Sequence, residues 1–138
     1  MDADDKLAAT SFKAQTTVAI LPLGQVDETE LEFLAYVLRN FFSLQTKLMS
    51  VVTVPRKFYR PKRKQYDADQ LLDYVLSYKP KRAGMIVGVF NGSLFSENIK
   101  KILGLAYLTN GSMIYSTKDL HEDCTDISKK QKRSEWII

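Results

Sequence analysis

Soft metal ligands are scarce in these 138 residues: there is one cysteine, Cys124, and one histidine, His121. A single Cys excludes an intrachain disulfide and any CxxC metal site, and a single His excludes a multi-histidine zinc site. Metal-dependent catalysis would need residues that this sequence does not contain. Apolar runs are also short, well below the roughly 20 residues that a membrane helix needs, so no membrane partner is expected. Met1 to Gln15 (MDADDKLAATSFKAQ) begins acidic and carries no apolar core, which excludes a signal peptide. With one cysteine and no leader, a cytoplasmic location is expected. Glycine is sparse, and neither GxxxxGK[ST] nor GxGxxG occurs. The turn Pro22-Leu23-Gly24-Gln25 is too poor in Gly to cradle a phosphate, and no GxSxG nucleophile elbow is present.

What is there is an ordinary globular composition, 45% hydrophobic and 26% charged, enough to bury a core without staples. Residues 1–15 are expected to be a loose tail and 16–138 a single domain. The net charge is +4, and it is unevenly spread: six of the nine residues Arg56 to Lys64 (RKFYRPKRK) are basic, and a second run covers Lys129 to Arg133. Two readings stand for the first run. It is a solvated loop, or it holds a nucleic acid or an acidic partner through Arg56, Lys57, Arg60, Lys62, Arg63 and Lys64, with Phe58, Tyr59 and Tyr66 interleaved for stacking. A nuclear-import signal is the same run seen differently. His121-Glu122-Asp123-Cys124 brings metal-capable side chains together, but Thr125 stands where an HExxH motif needs its second His, and a surface loop is the plainer reading.

The hydrophobic pattern predicts an α/β chain in the order β-α-β-α-β-β-β-α. Thr16–Leu21 is an apolar run with β-branched residues, expected to be a buried strand ended by Pro22 and Gly24. Asp27 and Glu30 form a capping box ahead of a helix that buries Leu31, Leu34, Val37, Leu38 and Phe41. Thr46–Val54 is a second strand, and loop 55–66 follows it. Asp67, with Gln70 three residues on, opens a second helix that turns Leu71, Leu72, Val75 and Leu76 inward and stops at Lys79-Pro80. Ala83–Phe90 is a continuous apolar run typical of a central strand. Ile102–Leu108 and Ser112–Thr117 flank Thr109-Asn110-Gly111 as a hairpin. A last amphipathic stretch runs from Asp126 to Ile138. Its apolar end, Trp136-Ile137-Ile138, is expected to pack against something, and self-association is one such contact.

Taken together, these segments resemble the archaemetzincins, a zinc metallopeptidase family of metzincin-type fold. The likeness lies in Ile20-Leu21-Pro22-Leu23-Gly24 with its following helix, and in Arg63-Lys64-Gln65-Tyr66-Asp67-Ala68 with Leu71-Leu72, similar to the family's R-x-Q-Y segment. It continues in Ile86-Val87-Gly88-Val89 leading to Leu94-Phe95, and in Leu103-Gly104-Leu105-Ala106 with Ile114-Tyr115-Ser116-Thr117 and Leu120. The resemblance spans residues 17 to 138. Ser93-Leu94 departs from it, since the family has Asp-Leu there.

The resemblance implies a metzincin-like (α+β) fold: a twisted mixed sheet of about five strands with one antiparallel edge strand, backed by two to three helices. It also implies that an extended peptide aligns along the edge strand Leu103, Gly104, Leu105, Ala106, Tyr107 and Leu108. The family's cofactor is zinc, held by HExxHxxGxxH. In the family that motif follows the stretch matching Lys132 to Ile138, and cysteines of a second zinc site lie further on. No catalytic or metal residue carries over, so the expectation is a metallopeptidase homologue without its catalytic subdomain, inactive alone and without a cofactor in this chain. The alternative is a small basic binding module working through loop 55–66.

Overall fold

In the computed structural model, residues 16–118 are described. Seven residues, all buried after Thr17, form β1 (Thr17–Leu23). It is followed by α1 (Glu28–Phe41), β2 (Gln45–Leu48), a 3-10 turn (Arg56–Phe58), β3 (Tyr59–Arg60) and β4 (Gln65–Asp67). The chain continues through α2 (Ala68–Leu76), β5 (Met85–Phe90), β6 (Leu94–Ser96), β7 (Ile99–Ile102), β8 (Gly104–Tyr107) and β9 (Ser112–Ser116). The main sheet has five strands in the order β2-β1-β5-β9-β8. β1, β2, β5 and β9 are parallel neighbours, and β8 runs antiparallel to β9 at the edge. This is the expected mixed sheet with one antiparallel edge strand.

The two-residue period of a strand decides which helix each β1 side chain meets. Val18 and Ile20 pack with Leu31 of α1, together with Val87 and Val89 of β5. Ala19, Leu21 and Leu23 face the other way, onto Leu71, Leu72 and Val75 of α2. One helix therefore covers each face. Both helices start as the sequence predicts. Asp27 accepts from the Thr29 N–H at 3.0 Å, and Asp67 accepts from Asp69 and Gln70 at 3.0 and 3.3 Å, which satisfies donors that a helix start leaves open. The β8–β9 connection is the expected hairpin, and Gly111 sits at φ 68°. A Cβ there would come within 2.4 Å of the Gly84 carbonyl oxygen, so glycine is needed for space as well as for conformation.

Four expectations are corrected. First, β1 does not end at Pro22 but pairs through Pro22 and Leu23 with Val89 and Phe90. The Pro22 carbonyl accepts from Val52 on the β2 side, so its missing N–H falls where regular pairing with β2 has already ceased. Second, Thr46–Val54 is not one strand. The register shifts from Ile20↔Leu48 to Leu23↔Val52, so one extra residue is accommodated and the ladder breaks after Leu48. Third, Phe41 is not buried but 72% exposed, resting edge-on against Tyr36.

Fourth, segment 55–66 is not a plain loop. Its residues fold into the β3–β4 hairpin of a second sheet, ordered β3-β4-β6-β7, and Phe58 is buried. In the same way Ile102 belongs to β7 of that second sheet and only Gly104–Tyr107 forms the edge strand of the first. The N-terminal tail, the stretch from Asp126, the run 129–133 and the group His121 to Cys124 lie outside the described residues. No helix among the described residues is long and apolar enough to cross a membrane.

Candidate functional site

The edge strand β8 is built by its neighbour. The Ser116 N–H donates to the Leu103 carbonyl at 2.7 Å, which sets the phase of the ladder, because bonded and non-bonded positions alternate along an antiparallel pair. Leu105 and Tyr107 therefore turn their backbone groups toward Ile114 and Ser112, their partners in register. Gly104 and Ala106 turn theirs outward. Among the described residues no strand pairs with that outer side. Leu105 packs on the core beneath α2, and Leu108, at the hairpin, is 74% exposed.

Asp69 in the first turn of α2 fixes the strand's far end. It accepts from the Tyr107 hydroxyl at 3.4 Å and from the Ser96 hydroxyl at 2.9 Å, so one carboxylate ties the edge strand of the first sheet to β6 of the second. Its negative charge, with some desolvation, holds the Tyr107 phenol above its usual range. Across the ladder from Gly104, burial and the Glu30 carboxylate push the Tyr115 phenol up to about 12, so that ring stays neutral at physiological pH. Sequence reasoning missed Asp69 as a positioning residue, because nothing in its spacing marks it apart from any acid in a first helical turn.

The structure also shows what the R-x-Q-Y segment does. Arg63 lies over the Phe95 ring at 4.0 Å. The Gln65 amide donates to the Ser93 hydroxyl at 3.1 Å and to the Lys100 carbonyl at 2.8 Å, beside an irregularity in the β6–β7 register. Tyr66 packs between Tyr59 and Phe90, each ring centroid 4.9 Å away. The segment thus clamps the second sheet together and joins it to the first.

Of the six basic residues singled out from the sequence, Arg60 is anchored by the Lys57 carbonyl at 2.8 Å, by Gln70 at 3.0 Å and by Asp67 at 3.7 Å. Arg63 is held as described, and Lys57 lies 5.5 Å from the Phe58 ring. Arg56, Lys62 and Lys64 are exposed. The rings that would stack on bases, Phe58, Tyr59 and Tyr66, are in contact with other aromatic side chains of the protein.

A second concavity opens at the carboxyl ends of β1 and β5, where the helices before and after β2 pass to opposite faces of the sheet. Two adjoining recesses of about 440 and 710 Å³ share Gly24, Gln25, Val51 and Asn91. Such switch points bind ligands in open α/β sheets. Here the helix start that faces the recess is already capped by Asp27, so it offers little to an anion. Among the described residues no group of three or more His, Cys, Asp or Glu side chains could hold a metal ion. The described residues therefore offer no ligand set for a zinc ion.

No protein-family model matches the chain. Over 78 residues it is 31% identical to an archaemetzincin of Nanoarchaeum equitans, a match covering 56% of this chain and 44% of that protein. The chain thus spans less than half the length of this curated relative. Among solved structures it is similar to the archaemetzincin of Archaeoglobus fulgidus complexed with malonate, with a TM-score of 0.63 and 23% identity over 73% of this chain and 60% of that one. A zinc-dependent peptidase from Methanocorpusculum labreanum gives a TM-score of 0.65 at 19% identity over 79% of this chain and 68% of that one.

Proposed function

We propose, on the premise that this chain is archaemetzincin-like in fold and in sequence, that it holds an extended peptide by strand addition along β8. The observation that carries this reading is the edge itself, an antiparallel strand at the end of a five-stranded sheet with Gly104 and Ala106 turned outward. Outward N–H and C=O groups on a sheet edge are a template for the backbone of another chain. Leu105 and Tyr107, anchored on the α2 side, keep that template straight. We propose further that these 138 residues do not hydrolyse the peptide by themselves. Their one histidine cannot supply the ligand set that zinc-assisted hydrolysis needs.

The test is Ala106→Pro. Proline removes an outward N–H and leaves the bonds of Leu105 and Tyr107 to β9 intact, as edge positions allow. The variant is expected to keep its urea midpoint and to lose about tenfold in affinity for a labelled, Val- and Thr-rich peptide, the equivalent of one hydrogen bond lost at a crowded edge. Unchanged affinity in fluorescence anisotropy would contradict the reading. If the variant does not fold, the peptide can be altered instead. N-methylation of alternate residues should block binding in one phase and spare it in the other.

A further inference from the structure

Between Ile99 and Tyr107 the chain forms the edge of two sheets in succession. β7 closes the four-stranded sheet and β8 the five-stranded one, with Leu103 alone between them. A bound strand that runs past Gly104 therefore meets β7, whose Lys100 and Lys101 are exposed. The β3–β4 hairpin is drawn against the same place. Gln65 and Arg63 both donate to the Lys100 carbonyl, at 2.8 and 3.5 Å. Cations more than thirty residues apart in sequence are thereby gathered at one end of the edge; the acids nearest to them along the chain are Glu97, in the turn before β7, and Asp67, which lies 3.7 Å from Arg60. The other end is different in charge: Asp69 holds the Tyr107 hydroxyl and Asp73 adds its field there, with Lys79 beside Gly111.

We propose that the peptide taken by β8 carries acidic side chains at its C-terminal end, where they meet the cations of β7 and the hairpin. The proposal rests on the strand-addition reading above. Antiparallel pairing is somewhat more stable per residue than parallel pairing. In that direction a peptide enters at Tyr107 and leaves past Gly104, so its last residues lie along the basic end. An extended chain advances about 3.3 Å per residue, so two or three residues beyond the paired segment reach the lysines. The class of ligand is an extended acidic-ended peptide. A nucleic acid is disfavoured because the hairpin's rings are packed against one another and against the core.

The experiment compares two labelled, C-terminally amidated peptides of identical composition, one with a Glu pair at the C-terminal end and one with the pair at the N-terminal end. The first is expected to bind about five- to tenfold more tightly at low salt, the sum of two exposed ion pairs, with the difference fading as salt rises. The double variant Lys64→Glu/Lys100→Glu is expected to erase that preference and to leave an uncharged peptide's affinity unchanged. Equal binding of the two Glu peptides, with the uncharged peptide still bound, would sink this inference and leave strand addition standing. Failure of every peptide to bind would remove both. A single-stranded oligonucleotide that binds more tightly than any peptide, and is lost in the double variant, would give the cations to nucleic acid and overturn the proposal.

Discussion

Gly88→Ala is expected to destabilise the chain by about 2 kcal/mol, although alanine is ordinarily the better residue inside a strand by 0.5–1 kcal/mol. Gly88 lies in the middle of β5, where α2 and β9 close over the backbone. An added Cβ would stand 2.7 Å from Val75 Cγ2, 2.9 Å from Ile114 Cγ2 and 3.1 Å from Leu23 Cδ1. All three belong to fully buried side chains, and two of them are β-branched and stiff at χ1. The methyl group therefore has to push α2 away from the sheet, and overpacking outweighs the gain in backbone entropy. Because α2 carries Asp69, the same displacement loosens the hold on Tyr107 and with it the β8 edge. Urea denaturation should show a lower midpoint with an unchanged slope. A variant more stable than the parent would mean that α2 does not press on β5 here.

Leu31→Ala and Phe41→Ala are expected to differ by more than their sizes suggest. The helical period places both on the apolar stripe of α1, and by that reading alone the larger Phe41 should cost more. In the structure Leu31 is 6% exposed between α1 and the sheet, whereas Phe41 is 72% exposed. Removing Leu31 leaves a cavity against Ile20 and Val89 and is expected to cost about 3 kcal/mol. Phe41 lies mostly in solvent, with an edge contact to Tyr36, and its removal is expected to stay within about 0.5 kcal/mol. Chemical denaturation of the two variants decides it. A Phe41 effect as large as that of Leu31 would contradict the placement of the last turn of α1.

Those two positions show where the sequence spoke and where it fell silent. Long, regular signals were legible. The apolar run ending at Phe90 is the central strand β5, both aspartate caps open helices, and the Asn110-Gly111 turn joins β8 to β9. The edge position of β8 came through resemblance, and the sheet order bears it out as a matter of fold.

The second sheet was not legible, and the reason is physical. Its strands are two to four residues long, too short to show a period, and its pairing joins remote segments, such as Tyr66 with Leu94. Charge misled as well. The density of Arg and Lys from Arg56 to Lys64 suggested an open loop, yet Arg60 and Arg63 are tied at the surface to the protein itself, through hydrogen bonds to backbone carbonyls and through the Phe95 ring. Gln65, an unremarkable residue in sequence, proves to hold β4, β6 and β7 together because its amide reaches three acceptors at once.

Strand addition on β8 is tested most directly by amide hydrogen exchange, residue by residue, with and without the Val- and Thr-rich peptide. Leu105 and Tyr107, already bonded to β9, are expected to change little. The Gly104 and Ala106 amides, turned outward, are expected to gain protection on binding, since a newly made backbone bond shields its own N–H. Protection that appears in that alternating pattern would place the peptide on the edge. Protection confined to the recess at the ends of β1 and β5, or to Lys62 and Lys64 on the hairpin, would contradict it.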